Sequence, residues 1–214
     1  MALTKIEASN IAAGAVASSG FVEKKVYTAA STLWTKPTGV TKIIVEVQGA
    51  GGGSGSTGGS PDSAGVGGGG AYASKFLDVT NVATCTVTVG AAAAAASGAT
   101  GGVGGTSEFV YVSGTASFTT ISAVGGNGGQ HNNYYGAAIT ATPTTGDVNI
   151  AGQSGYTVFV AGSSMFGFGG KAITTASGTG RLGTGYGSGP AGPSATSTNG
   201  NVAQPGIVIV WEFK

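Results

Sequence analysis

Charge, cysteine and histidine are all scarce in this chain, and each scarcity closes off a class of function. Of 214 residues only 8% are charged and the formal net charge is +1. No basic stripe exists to hold a phosphate backbone or an anionic membrane, so nucleic acid is not an expected partner. Cys85 is the only cysteine, which excludes an intrachain disulfide and a cysteine zinc cluster. His131 is the only histidine, so a histidine metal cluster is excluded, and neither a metal nor a cofactor is expected. No apolar run approaches the ~18 residues that cross a bilayer, and no membrane insertion is expected. Near the start, Lys5 precedes a mildly apolar stretch ending in Ala15-Val16-Ala17. Glu7, Ser9 and Asn10 interrupt it, and it is not read as a signal peptide. No Asn-X-Ser/Thr sequon occurs.

What is abundant is glycine. All but three of the 43 glycines lie between Gly49 and Gly206. Many recur at every third position, as in Gly49, Gly52, Gly55, Gly58, then Gly98, Gly101, Gly104, then Gly126, Gly129. A polyproline II helix has three residues per turn, so such glycines share one edge, where another backbone can approach closely. Abundant glycine without a strict Gly-X-Y register ordinarily suggests disorder. Ordinary strand segments at both ends and the low charge argue for a packed scaffold instead.

Those strand segments are specific. Residues 21–27 (FVEKKVY) read as a strand, and residues 33–36 as an extended stretch ahead of Pro37, followed by a turn at Thr38-Gly39. In residues 42–48 (KIIVEVQ), Ile43, Val45 and Val47 share one face, and Lys42, Ile44, Glu46 and Gln48 the other. Residues 71–79 and 84–89 are expected to pair through a turn at Asn81. Residues 107–113 and 116–124 are expected to form a hairpin around Gly114. The closing strand, residues 207–213 (IVIVWEF), is expected to pair with residues 42–48 and tie the ends of the glycine block together. Residues 91–96, all alanine, read either as a two-turn helix or as an extended segment packed among glycines. The expected fold is mainly β: short antiparallel strands bracketing a glycine-rich block of polyproline II-like segments and loops. Residues 1–20 read as an arm or anchor, and residues 21–214 as the glycine-rich β domain.

Glycine motifs arise by chance in such a sequence. Gly65, Gly67 and Gly70 match a dinucleotide fingerprint, but a strand-like segment follows where a helix should hold the pyrophosphate. Gly170-Lys171 resembles the end of a phosphate loop, yet Met165 stands where its first glycine belongs and Ala172 where Ser or Thr would bind magnesium. No serine-nucleophile motif occurs, and the chain reads as non-enzymatic.

Large side chains set among glycines are the candidate binding groups. Gln130, His131, Asn132, Asn133, Tyr134 and Tyr135 combine aromatic faces with amide and imidazole groups, which suit stacking on a sugar ring and reading its hydroxyls. The other reading is a polar loop whose tyrosines tuck back onto the glycine block. Met165, Phe166 and Phe168 form an apolar tip or a piece of core. Arg181 and Tyr186 form a third cluster.

Taken in order, several segments carry a resemblance: the Trp-Thr-Lys-Pro-X-Gly-Val opening at residues 34–40, the Tyr-Ala…Val-Thr…Thr-Val-Gly strand pair at residues 72–90, and the Pro-Gly-Ile-Val-Ile-Val-Trp ending at residues 205–211. Residues 21–214 resemble the glycine-rich domain of bacteriophage tail-fibre and related virion appendage proteins. The resemblance implies a virion surface protein, a homotrimer, with polyproline II-like segments packed in a bundle and variable loops at its tip contacting a host cell-surface glycan or protein. It implies that the arm at residues 1–20 is bound by other virion proteins. The alanines at 91–96 and the Ala/Thr-rich residues 137–145 depart from the pattern, so an irregular lattice is expected there. The missing shaft keeps open a capsid fibre or head decoration protein. Thr and Ala faces on such a bundle keep open an ice-binding protein.

Overall fold

The computed structural model describes residues 20–29, 31–58, 63–132, 142–143, 145–155, 160–171, 180–193 and 199–214. The strands are β1 (Phe21–Tyr27), β2 (Thr32–Thr35), β3 (Lys42–Gln48), β4 (Tyr72–Asp78), β5 (Val82–Thr88), β6 (Ser107–Gly114), β7 (Ile121–Ala123), β8 (Val148–Ile150), β9 (Gly167–Phe168), β10 (Thr184–Gly185) and β11 (Ile207–Phe213). No helix occurs among the described residues. One sheet has the order β1-β11-β3-β4-β8 and a second the order β2-β5-β6-β7, with β9 and β10 forming a two-stranded hairpin. All pairs are antiparallel.

The two larger sheets face each other across one core. Ile43, Val45 and Val47 of β3 with Val208 and Val210 of β11 meet Trp34, Cys85, Val87, Phe109 and Ile121 from the other sheet. Alternation decides this: in a seven-residue strand every second side chain points to the same side. The closing strand pairs with β3 over its whole length, Ile207 opposite Gln48 and Phe213 opposite Lys42, as its sequence predicts. The expected pairing across Asn81 does not form. β4 pairs with β3 and β8, while β5 pairs with β2 and β6, so the turn carries the chain from one sheet to the other. Both strands bury one face in the same core, which folding over achieves as well as pairing edge to edge. β6 and β7 do pair, Ser107 opposite Ala123, through a link longer than a tight turn at Gly114.

Above the sandwich the strands run on into the glycine block, and the bonding period changes from two to three. In residues 49–58, Gly49, Gly52 and Gly55 donate to the carbonyls of Ala71, Gly68 and Gly65; Ala50, Gly53 and Ser56 donate to those of Gly105, Gly102 and Ala99; Gly51 and Ser54 donate to those of Gln204 and Asn201. Gly126, Gly129 and Asn132 donate in turn to the carbonyls of Ala50, Gly53 and Ser56. One segment thus bonds four neighbours, each touched at every third residue. That is the repeat of a polyproline II helix, whose groups point outward because none bond within the segment. Segment 49–58 lies at the centre of a bundle. A Cβ at Gly49, Gly52 or Gly55 would overlap the carbonyl oxygen of Val124, Asn127 or Gln130, so these three positions admit only glycine.

The lattice stays regular through the alanines, contrary to the expected irregularity. Gly206, Ala203 and Gly200 donate to Gly90, Ala93 and Ala96, again in steps of three, and the segment is extended rather than helical. Ala93 and Ala96 face inward while Ala91, Ala94 and Ala95 face solvent. On the outside of the bundle a methyl group has room. Most of residues 137–145 lie outside the described residues.

Candidate functional site: the distal end of the bundle

The chain enters and leaves the sandwich at its base, where Lys214 N donates to Gly20 O at 3.0 Å. The bundle ends at the opposite pole. Seven β residues at about 3.3 Å and nine polyproline II residues at about 3.1 Å separate the two ends by roughly 50 Å.

Three segments meet at that distal end. His131 Nδ1 lies 2.7 Å from Ser56 O and 3.0 Å from Ser56 Oγ. A carbonyl only accepts, so Nδ1 is the donor in the bond to Ser56 O. Ser56 Oγ donates to Ala99 O at 3.0 Å and accepts from Ala99 N at 2.7 Å. Gly58 N donates to Asn132 Oδ1 at 2.6 Å, and Asn132 has a left-handed backbone with φ of 47°. Asn is among the few residues with a side chain that adopt this conformation readily. His131 and Asn132 therefore bind the ends of segments 49–58 and 126–132 together. Their polar groups face the scaffold, and the chain they present continues into Asn133, Tyr134 and Tyr135, which lie outside the described residues. Gln130 is exposed beside them, and its carbonyl accepts from Gly65 N at 2.8 Å.

The other two clusters lie away from this end. Met165, Phe166 and Phe168 sit on the β9–β10 hairpin at the junction between sandwich and bundle. Met165 N donates to Gln48 Oε1 at 3.2 Å, and the Phe166 ring meets Tyr72 edge-on with centroids 5.6 Å apart. Phe166 is half-buried, so the core reading fits it, while Met165 and Phe168 are exposed. Tyr186 belongs to the same hairpin, its carbonyl accepting from Ser164 Oγ. Arg181 is exposed midway along the bundle, its backbone held between Lys171 and Ala191. The three clusters do not converge.

Sequence reasoning missed the junction itself. Alternation puts Gln48 on the face opposite Ile43, Val45 and Val47, and it is fully buried there. Its Nε2 reaches Gly70 O and Ala71 O at 2.9 Å each and Gly49 O at 3.2 Å. Ser107 Oγ donates to Gln48 O at 2.6 Å and accepts from Gly90 N at 2.9 Å. Where a two-residue period meets a three-residue period some backbone groups lose their ladder partners, and these two side chains satisfy them. The residues that cover Gln48 follow more than a hundred positions later, so no local signal marked it.

Among the described residues no group of three or more His, Cys, Asp or Glu lies close enough to hold a metal ion, and no helix is long and apolar enough to cross a membrane. A two-sheet sandwich whose strands continue into a glycine-spaced polyproline II bundle defines a glycine-rich β domain. The chain belongs to the family described as the Glycine-rich domain, whose model matches residues 27–211. No curated protein matches it.

Proposed function

We propose that this protein is a non-enzymatic structural component of a bacteriophage virion, of the tail-fibre or appendage type, that attaches to the host surface through loops at the end of the glycine bundle. One observation carries the reading: the ends of the described chain meet at one pole, at Gly20 and Lys214, while the Gln130–Asn132 turn is held at the other. A rigid body anchored through residues 1–20 by other virion proteins then presents the Gln130–Asn132 turn at its far pole. Loops on a rigid scaffold are where recognition usually resides. Two tyrosines and an asparagine suit a polysaccharide, since tyrosine stacks on sugar rings and amides pair with hydroxyls. A homotrimer would repeat the contact and raise avidity.

The test is binding of the purified protein to host cells and to their isolated polysaccharide, with Asn133, Tyr134 and Tyr135 replaced by alanine. His131 and Asn132 stay intact because they hold Ser56 and Gly58. Loss of binding with unchanged melting supports the loop as the contact; unchanged binding rejects it. Immunogold labelling of the particle tests the location, and gold on the head would assign the protein to capsid decoration.

A further inference from the structure

We infer that the outer face of the five-stranded sheet is where copies of this chain meet. Every strand of that sheet places apolar side chains on the side away from the core: Phe21 and Val26 from β1, Trp211 from β11, Ile44 from β3, Phe76 from β4 and Val148 from β8. Phe21, Phe76 and Val148 are 59%, 53% and 51% exposed. The β9–β10 hairpin extends the face upward with Phe168, 79% exposed. The sequence carries the same signal in the closing strand, because IVIVWEF is apolar at both alternations. Strands of that kind are ordinarily covered on both sides, and the core covers one.

Size favours a macromolecular occupant. With about 150–250 Å² for an aromatic side chain and less for an aliphatic one, the exposed fractions amount to an apolar area on the order of 600 Å². That is at the upper end of the ~300–600 Å² patch a monomer ordinarily shows, and most of the ~800 Å² that each partner contributes to a standard interface.

The polar groups on the face favour an apolar partner over a sugar. Both oxygens of Glu46 are engaged, Oε1 by Tyr72 OH and Oε2 by Trp211 Nε1, each at 2.6 Å. Lys42 Nζ pairs with Asp78 at 2.9 Å, and Lys24 Nζ lies 5.1 Å from the centre of the Trp211 ring. Glycan hydroxyls would meet groups already committed to one another. The two lysines balance the two carboxylates, so the face meets its own copy without net like-charge repulsion. A second copy is the partner this surface fits.

The inference is independent of what the distal loops bind, and its test is oligomeric state. Sedimentation velocity would compare the wild type at micromolar concentration with Phe76→Glu, Val148→Glu and Val112→Glu; Val112 is 51% exposed on the outer face of the other sheet. The expected result is an oligomeric wild type, monomers for the two face variants with unchanged circular dichroism, and an oligomer for Val112→Glu. A monomeric wild type overturns the inference even if the variants fold poorly. So does an oligomer that survives both face substitutions, or one that Val112→Glu dissociates equally. A monomeric wild type whose tryptophan fluorescence responds to polysaccharide would assign the face to a glycan instead.

Discussion

Trp34 Nε1 donates a 2.7 Å hydrogen bond to Glu212 Oε1, joining residues 178 positions apart and stitching the second sheet to the first. Lys25 Nζ reaches the same oxygen at 3.0 Å, and Glu212 is fully buried. Glu212 Oε2 is buried with no hydrogen-bond partner among the described residues. The carboxylate thus depends on two donors at one oxygen, and losing either leaves much of a buried charge uncompensated.

Replacing Trp34 by Phe keeps an aromatic ring against Phe109, 5.7 Å away, and removes the donor together with part of the buried indole. The expected loss is about 1–3 kcal/mol of folding stability, read from the midpoint of chemical denaturation. A midpoint equal to that of the wild type would show that Lys25 alone satisfies the carboxylate.

Two adjacent glycines should respond in opposite ways. A Cβ at Gly101 would overlap the carbonyl oxygen of Gly53, whereas at Gly102 the nearest atom is 3.7 Å away. Gly101→Ala is therefore expected to cost about 1–3 kcal/mol or to prevent folding. Gly102→Ala is expected to be neutral or to stabilise by up to about 1 kcal/mol by restricting the unfolded chain. Thermal melts of the pair check this, and equal melting temperatures would contradict the three-residue lattice.

The only thiol should be silent in the native protein. Burial among the core residues pushes the Cys85 pKa up to about 12, so almost no thiolate exists at mildly alkaline pH. A thiol-specific chromogenic disulfide at mildly alkaline pH is expected to give no reaction on the native protein and one equivalent per chain in denaturant. Rapid native reaction would mean that the sandwich opens.

Asp78 gives a pH dependence of known sign. Hydrogen bonds from Lys42 first, then from Thr80, hold its carboxyl well below the usual carboxylate range. A carboxylate depressed in the folded state contributes stability above its unfolded pKa of about 4, and that contribution is lost as pH falls through the folded value. Asp78→Asn should therefore be slightly less stable than the wild type at pH near 6, with the gap closing below about pH 4. Both partners are solvent-exposed, so the gap is small. Urea midpoints at the two pH values check it, and a gap that widens on acidification would reverse the assignment.

The sequence disclosed what is periodic and concealed what is long-range. Ile43, Val45 and Val47 were legible as core because alternation fixes the face of a strand, and the pairing of β3 with β11 followed from two seven-residue β-branched runs. The step of three through Gly49, Gly52 and Gly55 reappeared as a row of contacts against Val124, Asn127 and Gln130. The turn at Asn81 misled because alternation says which side of a strand is buried, not whether its sequence neighbour lies beside it or across the core. The burial of Gln48 left no local mark, because the residues that cover it come much later in the chain. At the candidate site, Gln130–Asn132 stand out in the sequence as large polar side chains among glycines, but the inward aim of His131 and Asn132 depends on Ser56 and Gly58. Their distance in sequence left no local trace.

The three-residue step also governs how this scaffold tolerates change in length. Each bundle segment turns 120° per residue, so adding or removing one residue inside a segment would aim every later N–H and carbonyl at the wrong neighbour. Adding or removing three restores every direction and only lengthens or shortens the segment by about 9 Å. Insertions and deletions near residues 56–58, 98–100 and 130–132 can therefore vary the distal end in whole turns while segments 49–55 and 63–71 keep their partners. The architecture sets a reading frame of its own, one turn per three residues, within which the distal end can be rebuilt without rebuilding the body that carries it.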